Sequence, residues 1–96
     1  MTDAQITTIL SALKVDLGIM ISTSYDERLK QIIQASYKAI VREGVQTLNA
    51  DDIEDIELIV MYASWLWRKR DTGEGMPRML RWQLNNRVMS EKATTT

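Results

Sequence analysis

Ninety-six residues with 12 bases, 13 acids and a net charge of −1 describe one small domain and argue against a generic nucleic-acid binder. With no cysteine the chain can form neither a disulfide nor a thiolate metal site, and with no histidine it lacks the commonest general base and metal ligand. A chain this short buries roughly two-thirds of the surface it exposes when unfolded, so its stability is thin unless neighbours add to it.

The charge is unevenly spread. Residues 1–59 carry five bases and ten acids, net −5, whereas residues 60–96 carry seven bases and three acids, net +4. Head-to-tail contact between copies could use such polarity; an ordinary solvated surface is the plainer reading. The opening residues contain Asp3 and no basic-then-apolar segment, so no signal peptide is expected. The longest apolar run, 58–67 with Ser64 inside it, is far below the ~20 residues that span a bilayer. A soluble intracellular protein with no membrane partner is expected.

Taken in order, Thr2-x-x-Gln5 reads as a capping box. Ile6, Ile9, Leu10, Leu13 and Leu17 follow at helical spacing, and Gly18 supplies a left-handed stop. The first helix is expected at about 3–17. Ser24-Tyr25-Asp26-Glu27 reads as a second capping box opening a helix over 24–43, its apolar stripe formed by Leu29, Ile32, Ile33, Tyr37 and Ile40, with Gly44 closing it. That helix has one greasy face, as expected of an element packed inside the subunit.

The third helix, expected over 51–70, starts from Asn49 or Asp51 as cap. Asp52, Glu54 and Asp55 crowd its first turns and Arg68, Lys69 and Arg70 its last, which suits the helix dipole at both ends. Its apolar residues point two ways. Ile53, Ile56, Ile59, Val60, Ala63, Leu66 and Trp67 make one stripe; Leu58, Met61 and Trp65 make another. A surface helix of a small monomer needs only one, so the second implies another chain. After a loop containing Gly73 and Gly75, Pro77 suits the first position of a fourth helix running to about Met89. Leu80, Leu84 and Val88 line one side of it, and Met79, Trp82 and Met89 another. Residues 1–89 form the expected domain, and 90–96 a flexible polar tail. The fold expected is all-α, a four-helix bundle-like subunit with no strand.

Among chemical candidates, the acids Asp51, Asp52, Glu54, Asp55 and Glu57 lack the spacing and glycine of a calcium loop, and capping explains them more simply. Ser22, Thr23, Ser24 and Ser64 have no histidine to activate them. No catalytic residue, metal or cofactor is expected. Arg68, Lys69, Arg70, Arg78, Arg81 and Arg87, with Gln83, Asn85 and Asn86 on a helix after a glycine loop, allow a helix-turn-helix DNA-binding reading as the alternative. Against it, the apolar sides of the fourth helix leave little free face for a groove. Tryptophan, methionine and arginine are enriched at protein interfaces, which favours a subunit-contact role for Trp65 and Trp82.

The run Tyr62-Ala63-Ser64-Trp65-Leu66-Trp67-Arg68-x-Arg70, then Met76-Pro77-Arg78-Met79-Leu80-Arg81 and Gln83-Leu84-Asn85-Asn86-Arg87, resembles the head–tail connector (adaptor) proteins of tailed bacteriophages. Leu13-Lys14-x-Asp16-Leu17-Gly18-Ile19, Tyr25-Asp26-x-Arg28-Leu29 and Ile32-Ile33 fit the same pattern upstream, so the likeness covers about residues 10–90. It is most specific at Met76 to Arg81. The resemblance implies a homo-oligomeric ring, twelve-fold in the virion, at the head–tail junction. Such a ring docks beneath the portal protein and receives the stopper or tail-completion protein, with double-stranded DNA passing through its channel. Before assembly the subunit would reside in the host bacterial cytoplasm. The contact residues expected are Leu58, Met61, Trp65, Met76, Pro77, Met79 and Trp82 as apolar groups and Arg68, Arg78, Arg81 and Arg87 as polar anchors, with the tail used in assembly.

Overall fold

The computed structural model describes residues 1–95, with the backbone alone at 94 and 95. Among them are four helices and no strand: α1 (Asp3–Leu17), α2 (Asp26–Arg42), α3 (Ile53–Thr72) and α4 (Arg78–Thr95). The fold is all-α and four-helix bundle-like.

α1 begins as its sequence predicts. The Thr2 hydroxyl accepts the Gln5 amide at 3.2 Å, and the Gln5 side chain accepts the Thr2 amide at 2.8 Å. Gly18, at φ 73°, ends the helix in the left-handed region, with its N–H reaching the Lys14 and Val15 carbonyls. α2 does not use the expected capping box. Tyr25 stands at its cap without a side-chain hydrogen bond. The Asp26 carboxylate lies 2.9 Å from the Lys14 ammonium and so ties α2 to α1. At α3 the cap is Asp52, whose side chain accepts the Glu54 amide at 2.8 Å. Asn49, one of the two expected caps, instead accepts the Asp51 amide at 2.9 Å and shapes the turn before the helix.

α1, α2 and α3 share one core built on Ile9, Leu13, Leu29, Ile33, Ile40 and Ile59, all fully buried. α4 packs chiefly on α3, burying Leu80 and Leu84, while Val88 approaches Gly44 beyond the end of α2. The result is a flat body of 44 × 30 × 17 Å.

Three sequence expectations give way here. Leu58 is not an outward contact: only 3% exposed, it lies in the common core, because the second stripe of α3 is where α4 docks. Nor do residues 90–95 form an irregular tail. The helix continues to Thr95 and Glu91 is buried; Thr96 lies outside the described residues. Ile53, expected on the core stripe of α3, is exposed. Side chains lean toward a helix N-terminus, so that of the first residue projects past the end of the element.

Candidate functional site

α4 is fixed by a polar lock as well as by leucines. Arg87 donates from Nε to one Asp55 carboxylate oxygen at 2.8 Å and from a terminal nitrogen to the other at 3.2 Å. Asp55 also accepts the Asn49 amide at 2.9 Å. One helical turn beyond Arg87, Glu91 accepts both the hydroxyl and the amide of Thr47. The Thr47 hydroxyl, then the Thr47 and Gln46 amides and the Arg87 charge, hold the Glu91 carboxyl below the usual range, against the opposing effect of burial. The Asp55 hydrogen bond likewise pushes Arg87 above its ordinary value. Arg87, expected as an anchor for a partner, is therefore engaged within its own chain.

Other expected contacts are engaged in the same way. Arg81 pairs with Glu43 at 3.3 Å, and Arg68 lies 3.7 Å from Asp16, which also accepts the Ser64 hydroxyl. Trp65 is half-buried: its indole N–H donates to the Glu74 carbonyl at 3.2 Å and its ring meets Tyr62 edge-on at 5.4 Å. Met61 and Met76 are half-buried against the core. Pro77 is exposed and stands just before α4, where its carbonyl accepts the Arg81 amide at 3.0 Å; Arg78 is exposed.

What remains uncovered is the second side of α4. At 100° per residue Met79, Trp82 and Met89 fall within about 80° of arc, turned away from Leu80 and Leu84. They are 58%, 61% and 65% exposed. Beside them a groove of about 610 Å³ opens between α3 and α4. Leu58 and Met61 lie at its base, Trp82 and Asn86 along its α4 wall, and Glu54 and Glu57 along its α3 rim. Both rim glutamates are exposed and have no ion pair among the described residues. Such a surface is suited to burying an apolar segment with positive charge at its margins.

The structure thus brings Met61 and Trp82 together in one groove, with Leu58 beneath them. It sets Trp65 and Arg68 apart, toward the other end of α3. Asp55, Thr47 and Glu91 were absent from the expected set, although Leu80, Leu84, Arg87 and Glu91 recur at helical spacing and so mark one continuous inner face. No cluster of acids among the described residues has metal-binding geometry, and no described helix is long and apolar enough to cross a membrane.

Compared with protein-family models, with curated proteins and with solved structures, the chain finds no significant match.

Proposed function

We propose that this chain is a structural subunit of a tailed-phage neck: a head–tail connector that assembles as a ring beneath the portal, receives the stopper or tail-completion protein, and lets the genomic duplex pass. Its role is positional rather than catalytic. The carrying observation is the exposed Met79, Trp82 and Met89 stripe beside the α3–α4 groove. An apolar surface of that kind on a small subunit is an aggregation hazard unless another chain covers it. The likeness of Met76 to Arg87 and of 62–70 to connector proteins supports the reading of that assembly as a phage neck. A net charge of −1 also suits a conduit, since a strongly basic ring would hold the duplex by counterion release.

The geometry lends nothing to the helix-turn-helix alternative. Arg87 is turned onto Asp55, and Gln83 and Asn86 face a groove rimmed by Glu54 and Glu57, which would repel phosphate.

Negative-stain imaging of the purified protein, alone and mixed with its portal, tests the reading. Rings stacked on the portal are expected, together with a nearly flat dependence of DNA affinity on salt. A steep log–log salt slope without portal binding would establish the DNA-binding alternative instead. Mass spectrometry of purified virions should find the chain in the particle; its absence there would indicate a transient assembly chaperone.

A further inference from the structure

The α1–α2 connector carries a second exposed apolar feature that neither the fold nor the groove explains. Ile21 is 96% exposed and Met20 62% exposed. They sit between Asp16, which contacts Ser64 and Arg68, and Tyr25, whose ring meets Trp67 edge-on at 5.3 Å. The connector therefore lies against the C-terminal turns of α3, at the end carrying Arg68, Lys69 and Arg70. The groove lies against the N-terminal half of the same helix. From Leu58 to Lys69 is 11 residues, about 16 Å along the axis at 1.5 Å per residue, so one subunit cannot bring its tip into its own groove.

We propose that the occupant of the groove is a second copy of this chain, inserted through Met20 and Ile21 of its connector. Charge complementarity selects that occupant. Among the described residues the rim glutamates Glu54 and Glu57 have no ion pair, and the connector end brings Lys69, which lies over the Trp65 ring without a carboxylate partner, and Arg28, which donates to the neutral Gln31. The tip is apolar and exposed with the small Ser22 and Thr23 beside it, side chains that suit a groove with Leu58 and Met61 at its base. Because tip and groove are different surfaces, each copy gives one and receives one. Such contacts propagate head to tail and close into a ring when the rotation permits. This inference rests on the ring-forming reading above and assigns the contact within it.

The chain has no cysteine, so an introduced pair reports directly. Ile21→Cys with Glu57→Cys in one chain, oxidised at the highest concentration at which the wild-type chain stays soluble, should give a disulfide-linked ladder ending in one closed species. Ile21→Cys with Thr8→Cys should give none. Separately, Ile21→Asp and Trp82→Asp chains should each be monomeric alone and form a 1:1 heterodimer when mixed, since each keeps one intact surface. Ile21→Cys alone linking efficiently into dimers would show a symmetric contact and overturn the proposal. So would an unlinked pair or a mixture that stays monomeric. If those failures occur while the wild-type chain still forms rings, only the assigned contact falls; if the wild-type chain forms no ring, alone or with portal, the ring reading falls as well.

Discussion

Arg87 and Asp55 illustrate how much of this small fold rests on single side chains. The Arg87 side chain is 22% exposed and that of Asp55 5%, so removing the guanidinium strands a carboxylate in the interior. Arg87→Ala should lower the unfolding free energy in urea by about 3 kcal/mol, the lower part of the range for orphaning one member of a buried pair. Glu91 gives a pH signature. Its carboxyl is held below its unfolded value, so its contribution is complete above the ordinary carboxylate range and is lost as pH falls through the folded value. The stability gap between the wild-type chain and Glu91→Gln should therefore be widest near neutrality and narrow below about pH 4.5, as thermal melts across pH would show. These partners were hard to read in the sequence for a physical reason. A carboxylate in the first turn of a helix is already accounted for by the helix dipole, and a bond between residues 55 and 87 leaves no periodic trace.

At the level of elements, local rules were legible wherever the determinant was local. Thr2, Gln5 and Gly18 bracket α1 because capping needs only neighbouring backbone, and Gly73, at φ 65°, ends α3 for the same reason. Two apolar stripes on α3 were also visible, but periodicity shows that a face is greasy without showing what covers it. Leu58 is buried in the common core, whereas Met79, Trp82 and Met89 on the far side of α4 stay open. The polar composition at the end of α4 suggests a tail, whereas the helix continues and Glu91 is secured by Thr47. α4 docks mainly on α3 through two fully buried leucines, so it is the element with least support. Leu84→Ala should cost about 2–5 kcal/mol, and hydrogen exchange should show α4 amides opening before those of α3 in the wild-type chain. Gly44, at φ 121°, adopts a backbone region that L side chains rarely occupy, and the Val88 side chain lies 3.4 Å from where a Cβ would stand. Gly44→Ala should destabilise by at least about 1 kcal/mol through backbone strain.

At the scale of the whole molecule, a flat body carries an uncovered indole stripe on one side and an exposed isoleucine tip at the other end of α3, the two surfaces on which the proposed assembly rests. In the proposed ring, burying Trp82 in a partner would contribute about 1.5–3 kcal/mol per contact, a tenfold to hundredfold gain in affinity. Losing it should cost the fold little, since exposed substitutions away from buried networks usually change stability by about 0.5 kcal/mol or less. The most direct test is native mass spectrometry of the wild-type chain and Trp82→Asp, alone and with portal, alongside circular dichroism of both. The account predicts a ring for the wild-type chain that Trp82→Asp abolishes while helical content and melting temperature stay nearly unchanged. A wild-type chain that remains monomeric with and without portal, or a Trp82→Asp chain that unfolds, would contradict it.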